Sequence, residues 1–359
     1  VWVLKRDRLS QWNGKEWAND SQVSDDTVEL TSLATTADGA VWVASVDWAS
    51  DETGWGGEPD FRIHRGEGAF IGDVETYEVP GWVERLEPAP DGSLWAIMEG
   101  ADIWRFADDR WELVIDAGLY WVHDLAFEPS GGVLLTKETV IQRWADGAFT
   151  EDLVLFPEHE GYVDDVVIDG DGIAWVVATQ WDETDGERRE LIRLDDLTRY
   201  PIPDADPFND VVAAGSGLWA GGDGLIGFDG ATSSHLRFED EPLLRWTESI
   251  TVDRDGVVWI ASEEEINRFD GAAWSALTQA DLGLPLVEPD AWGWGWQRAW
   301  VAGHSDSRLW AGFGCDTAFL GAGGWQRVGR PPDLGDEDWC WFQQHMVGAD
   351  GSLWLVIEG

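Results

Sequence analysis

Short apolar runs recur along the chain, each behind a tight-turn signal and most with a tryptophan at one fixed place. The run reads Asp38-Gly39-Ala40-Val41-Trp42, then Asp91-Gly92-Ser93-Leu94-Trp95, then Asp171-Gly172-Ile173-Ala174-Trp175. It returns as Ser216-Gly217-Leu218-Trp219, Asp255-Gly256-Val257-Val258-Trp259, Asp306-Ser307-Arg308-Leu309-Trp310 and Asp350-Gly351-Ser352-Leu353-Trp354, with a weaker copy at Gly131-Gly132-Val133-Leu134-Leu135. Asp-Gly between apolar runs signals a β-hairpin, because glycine accepts the positive φ of a tight turn. A second turn follows, as in Arg268-Phe269-Asp270-Gly271-Ala272-Ala273-Trp274, Trp12-Asn13-Gly14-Lys15-Glu16-Trp17 and Trp144-Ala145-Asp146-Gly147-Ala148-Phe149. Each unit of roughly 40 to 50 residues therefore predicts four short antiparallel strands, a to d.

The pair of motifs, DG-x-[LV]-W-[VIA]-[AG] followed by x-R-F-D-G-x-x-W, resembles the two-component-regulator-type propeller repeat and, more loosely, the streptogramin-lyase-like propellers. The resemblance covers nearly the whole chain. It implies an all-β fold: a single β-propeller domain over 1–359, of about eight four-stranded blades, with seven blades plus an extra hairpin as the alternative. Its members include sensor ectodomains, binding modules and a few lyases, so it implies little about activity. The N-terminal segment lacks strand a and the C-terminal segment lacks c and d, so the two ends are expected to share one blade. Val1-Trp2-Val3-Leu4 and Leu353-Trp354-Leu355-Val356 both read as strand b of that blade, which predicts that one of them is displaced or that the chain is a piece of something longer.

The repeat is interrupted on one face. Long b-to-c loops are expected from Ala44 to Asp60 and from Thr179 to Glu190, and long d-to-a loops from Thr278 to Trp296 and from Arg327 to Trp341. Loop elaboration on a rigid scaffold is where binding residues concentrate. The chain holds 27 Trp, of which fifteen occupy strand b, c or d repeat positions and read as core. Most of the other twelve, Trp48 and Trp181 among them, fall in the long loops or at the start of strand a.

That start is the most informative place. Trp82, Tyr162, Trp246 and Trp341 stand nine residues before the turn Asp, and Trp121, Phe208 and Trp296 stand one residue off that register. Two residues further come Glu84, His123, Asp164, Asp210, Glu248, Arg298 and Gln343, expected on the same side of each strand by the two-residue alternation. In a propeller strand a lines the central channel, so an aromatic ring with a polar ring beneath it is expected at the channel mouth. The competing reading makes these aromatics packing residues between blades.

The formal net charge is −47, which disfavours nucleic acid and anionic lipid as partners and favours cations. No stretch of 18 apolar residues appears, so no membrane insertion is expected. Asp169-x-Asp171-Gly172 and Asp253-x-Asp255-Gly256 resemble the start of a calcium loop but lack its later ligands, so hairpin chemistry and no metal is expected. No P-loop, dinucleotide fingerprint or nucleophile elbow occurs, and no cofactor is expected. Cys315 and Cys340, the only cysteines, are expected to form a disulfide, which together with the start at Val1 fits a secreted or cell-surface protein. The function expected is a binding module that holds a glycan or a cationic small molecule at the aromatic- and carboxylate-lined mouth. The alternatives are a protein-interaction platform built on Trp-rich loops, and a lyase or glycoside hydrolase using His123 with nearby carboxylates such as Glu84 or Asp164.

Overall fold

A computed structural model describes residues 2–5, 8–12, 17–22, 28–48, 59–67, 74–99, 102–116, 122–150, 152–156, 161–182, 186–202, 210–214, 217–222, 224–228, 233–236, 247–253, 255–262, 265–285, 299–303, 308–330, 341–347 and 353–358. Among the described residues all helix and strand assignments are strand. Among the described residues the strands form eight sheets, seven of them meanders in the sequence order a-b-c-d. We number the sheets I to VIII: I spans 28–78, II 83–115, III 122–154, IV 161–202, V 210–236, VI 247–277 and VII 299–329. Sheet VIII combines Trp341–Val347 and Leu353–Glu358 with Trp2–Lys5, Arg8–Trp12 and Trp17–Gln22.

The doubled strand b is resolved without displacing either copy. Leu353–Glu358 takes the b position, and Trp2–Lys5 lies beside it as a parallel neighbour, with Trp2 opposite Trp354. Sheet VIII is therefore five-stranded, with the two equivalent repeat tryptophans in register. The weaker copy of the repeat is also shifted by one residue from its sequence reading. Gly131 has the positive φ of 88° that Gly39 has at 85°, so Leu134, not Leu135, stands in the tryptophan position.

The chain divides into two compact units, Val1–Ile115 with Leu277–Gly359, and Asp116–Ala276. Inside each unit the sheets pack face to face through the repeat positions. In the first, Trp42 and Ile63 of sheet I bury against Leu86, Leu94 and Phe106 of sheet II, and Trp310 of sheet VII joins Leu353 and Leu355 of sheet VIII. In the second, Trp175 of sheet IV packs with Val211 and Phe228 of sheet V. The tryptophan of one sheet meets the strand-c phenylalanine of the next edge-on: Trp42 and Phe106 at 4.7 Å, Trp175 and Phe228 at 4.7 Å, Trp219 and Phe269 at 5.6 Å between ring centroids. The Phe of the R-F-D motif is thus the receptor of its neighbour's tryptophan, an arrangement of the kind that adds to simple area burial.

Two of the expected long loops are shorter than the sequence suggests. Strand b of sheet I runs to Asp47 and pairs there with Asp60. In sheet IV the ladder continues to Asp182 opposite Gly186, so most of 179–190 is strand. Residues 49–58, 183–185, 286–298 and 331–340 lie outside the described residues. In the third expected loop Leu282 and Leu284 are buried, and Asp281 accepts hydrogen bonds from the Thr278 amide and hydroxyl at 2.8 Å each, so its first turn packs as structure.

Candidate functional site

The repeat tryptophans are fully occupied by the fold. Four of them stand opposite a strand-c arginine, Trp42 with Arg65, Trp95 with Arg105, Trp175 with Arg193 and Trp259 with Arg268, whereas Trp219 faces Gly227 and Trp310 faces Phe319. The guanidinium lies over the indole at 5.3, 5.9, 5.8 and 5.8 Å respectively. A carboxylate holds each arginine from outside, as Asp91 does Arg105 at 2.8 Å and Asp195 does Arg193 at 2.8 Å. The sandwich of ring, cation and acid fixes three side chains at once and shields the ring face. The indole N–H is occupied as well. Trp42 donates to Thr36 Oγ1 at 3.2 Å, Trp95 to Ser93 Oγ at 3.1 Å, and Trp175 and Trp259 to Asp169 and Asp253 at 2.9 Å.

The calcium-like motifs are explained by the same bonds. Asp169 Oδ1 accepts from the Asp171 and Ile173 amides at 2.9 Å, while Oδ2 takes the Trp175 N–H. Asp253 repeats the pattern with Asp255, Val257 and Trp259. Both carboxylates serve as turn braces, and among the described residues no group of three or more His, Cys, Asp or Glu is placed to hold a metal ion.

Strand a carries a second repeated feature that sequence reading missed. Its pairing with strand b is irregular in six sheets: one residue is skipped between Leu30 and Ser32, Val83 and Arg85, Val163 and Asp165, Thr247 and Ser249, and Phe342 and Gln344, and two between Val122 and Leu125. The skipped residues include Glu84, His123, Asp164, Glu248 and Gln343, which are five of the seven residues of the expected polar ring. A β-bulge takes a residue out of the ladder, and the residue so placed is polar at each of these five positions. The bulge also breaks the two-residue alternation, so the expectation that aromatic and polar residues share one side of the strand does not follow. Asp210 instead pairs regularly with Gly221. Residues at the bulge also link sheets: the Leu86 amide donates to Ser32 Oγ at 3.0 Å, and the Val166 amide to Asp124 Oδ2 at 3.1 Å. Each satisfies an edge N–H of the following strand a.

Two aromatic pairs stand at the strand-a start, one in each unit. In the first unit Trp48 follows strand b of sheet I and is 48% exposed. Its Nε1 donates to Glu29 Oε2 at 3.1 Å, and its ring lies 6.3 Å from that of Trp82, which is half-buried at the head of sheet II. Glu29 occupies, in the one repeat without an aromatic there, the place nine residues before the turn Asp. In the second unit Trp181, 51% exposed, lies 6.1 Å from Tyr162 on the neighbouring strand of sheet IV. Beside them Thr179 donates to Asp164 Oδ2 at 2.8 Å and accepts from Arg189 Nε at 3.3 Å. Trp48 and Trp181 occupy the same place in the repeat, six residues after Trp42 and Trp175. Trp48 directly follows, and Trp181 lies within, the two longest b strands among the described residues, of 8 and 9 residues, which carry the chain past the usual strand end.

Of the residues singled out in the sequence, Trp82, Tyr162, Glu84 and Asp164 are described with their side chains; Glu84 is exposed and Asp164 half-buried. His123, Asp210, Glu248, Gln343 and Trp341 lie in described strands as backbone positions only, and Trp121, Phe208, Trp246, Trp296 and Arg298 lie outside the described residues. Cys315 is buried and disulfide-bonded; Cys340 lies outside the described residues. A chain of polar side chains also crosses sheet I, with Ser45 Oγ 2.8 Å from His64 Nε2 and His64 Nδ1 3.2 Å from Thr76 Oγ1. Burial, aided by the nearby Arg62 charge, pushes the His64 pKa down to about 4.

No family model matches the chain, and no curated protein matches it. Solved structures do resemble it. The structure named "YCF48 bound to D1 peptide" is 15% identical over 72% of this chain and 84% of its own, with a TM-score of 0.48. The extracellular domain of the putative hybrid two component system BT4673 from B. thetaiotaomicron is 11% identical over 99% of this chain and 63% of its own, with a TM-score of 0.41. A Mycobacterium tuberculosis puromycin-hydrolyzing peptidase is 14% identical over 89% of this chain and 56% of its own, with a TM-score of 0.49.

Proposed function

We propose that this chain is an extracellular binding propeller of eight blades that holds a stackable polar ligand, a glycan or a cationic small molecule, at the start of strand a. The observation that carries this reading is the pair of half-exposed tryptophans at one repeat offset, Trp48 and Trp181, each backed by an aromatic ring from a strand-a start. An indole face fixed by a second ring loses little conformational freedom on binding, which suits it to sugar rings and to cations. The disulfide at Cys315, which we assign to Cys340 as the only other cysteine, fits an oxidising compartment. The strongly negative field argues against nucleic acid as the partner. The test is a tryptophan-fluorescence titration with cellobiose and with choline, compared with the Trp48→Ala/Trp181→Ala double variant. Saturable binding of either probe, lost in the double variant, is expected. Binding that survives unchanged in the double variant sinks the site, and silence of both probes counts against the ligand classes.

A further inference from the structure

The sandwich that protects the repeat tryptophans has a counterpart at Trp48. There an indole and an acid are present, but no side-chain cation lies over the Trp48 ring among the described residues. The Trp48 N–H is donated in the ring plane to Glu29, so the bond leaves the π face unused, and the residue is 48% exposed. Donation to a carboxylate pushes electron density into the ring and strengthens its attraction for a cation. Trp82 closes one flank at 6.3 Å and an interplanar angle of 46°, so the two rings form an open angle rather than a flat stack. Glu84, two residues beyond Trp82, is exposed at the bulge of the same strand. Glycan recognition asks for fixed donors as well as acceptors at the ring edge. The carboxylate placed here, that of Glu29, is an acceptor, and the Trp48 N–H already serves it, so the Trp82 indole is the one further side-chain donor of these three residues.

We propose that the Trp48–Trp82–Glu29 cluster is a site for an alkylammonium cation, held by cation–π contact with the two indoles and by the field of the Glu29 carboxylate. This rests on the binding role proposed above and narrows it to one ligand class at one of the two aromatic pairs. The Tyr162–Trp181 pair differs in having an arginine, Arg189, built into its polar network.

The experiment uses the whole chain, with choline and tetramethylammonium as cations, 3,3-dimethyl-1-butanol as the uncharged isostere of choline, and cellobiose as an uncharged glycan. Binding is followed by tryptophan fluorescence and calorimetry. Both cations are expected to bind saturably, with the alcohol at least ~10-fold weaker. Trp48→Ala is expected to weaken choline by ~5- to 30-fold, within the range of partly desolvated cation–π contacts. Glu29→Gln keeps the hydrogen bond to Trp48 and is expected to weaken choline by ~3- to 10-fold while flattening its salt dependence. Leu113→Ala, at an exposed apolar residue of the same unit, serves as the control and is expected to leave affinity within ~2-fold. Near-ultraviolet circular dichroism confirms the fold of each variant. Equal binding of choline and its uncharged isostere overturns the inference, as does an unchanged affinity in Trp48→Ala. Binding of cellobiose but not choline, lost in Trp48→Ala, overturns the cation inference and leaves the broader binding role standing. Silence of all four probes overturns both.

Discussion

Trp42 and Trp48 stand six residues apart in one stretch of chain, as do Trp175 and Trp181, and their fates are opposite. The first of each pair is 2% or 1% exposed, and the second 48% or 51%. The inner tryptophans have every face and the N–H engaged by the repeat: an arginine above, a neighbouring phenylalanine below, and a turn residue on Nε1. The outer ones are touched by one ring each and, in Trp48, by one acid. Residue type therefore carries no functional meaning here by itself. What separates the buried Trp42 and Trp175 from the half-exposed Trp48 and Trp181 is the arginine and the phenylalanine that cover the first two.

The sharpest way to break this comparison is through stability. Trp175→Ala removes a ring that fills the gap between sheets IV and V and is expected to destabilise by ~3–5 kcal/mol. It is measured as a fall in the denaturant midpoint at constant m-value. A loss under ~1 kcal/mol would mean that the inner tryptophans are not the packing unit. Asp169→Ala comes next. It removes the brace of the turn and strands the buried Trp175 N–H, at an expected cost of ~2–3 kcal/mol. Asp169→Asn, which keeps an acceptor, is expected to recover more than half of that loss.

The inner set was legible in the sequence and the outer set only partly so. The Asp-Gly turn and the tryptophan three residues after its glycine repeat on a fixed spacing, because each sheet must make the same turn and fill the same gap. The arginine was visible in Arg268-Phe269-Asp270, but nothing in a one-dimensional repeat says that it covers the tryptophan of the preceding strand. Trp82 and Tyr162 were found by register. Trp48 and Trp181 were read as loop residues, although their shared offset from Trp42 and Trp175 was the available signal. That offset becomes meaningful only once strand b is known to run on through Asp47 and Asp182. The bulges were invisible, because Glu84 and Asp164 are flanked on both sides by residues that fit a regular strand equally well. Ser45 and His64 escaped notice since they sit 19 residues apart and meet only across the b–c pair.

His64 offers a test confined to sheet I. Its pKa falls from an ordinary value near 6.5 to about 4 in the fold, so the folded chain favours the neutral ring. The unfolded chain takes up the proton first, and stability is therefore full above pH ~6.5, declines as pH drops towards 4, and levels off below that. The expected size is on the order of 2 kcal/mol, reduced from the bare shift because the ring is partly exposed. His64→Gln should flatten the stability profile between pH 4 and 6.5. The turn carboxylate of Asp38, lowered chiefly by its hydrogen bond from Thr36, loses its contribution only at more acid pH and does not confuse the window. An unchanged slope in His64→Gln would show that the Ser45–His64–Thr76 chain holds no titratable strain.

The smallest expected effect is the one on which the comparison turns. Trp181→Ala removes the same side chain as Trp175→Ala from the same strand, yet half of that ring is already in water and its one aromatic neighbour, Tyr162, keeps its backbone pairing with Thr179. Loss of a tilted ring contact at the surface is expected to cost ~0.5 kcal/mol and no more than ~1. Urea denaturation of Trp175→Ala and Trp181→Ala side by side gives the difference directly, and additivity in the double variant is a poor guide because the two share a strand. A gap of ~2–4 kcal/mol between the two substitutions places Trp181 outside the packing role and leaves its exposure to be explained by something it meets. Equal costs would instead make it a continuation of the core beyond the usual strand end, and the extended hairpin of sheet IV would then be there to complete the sheet rather than to present a ring.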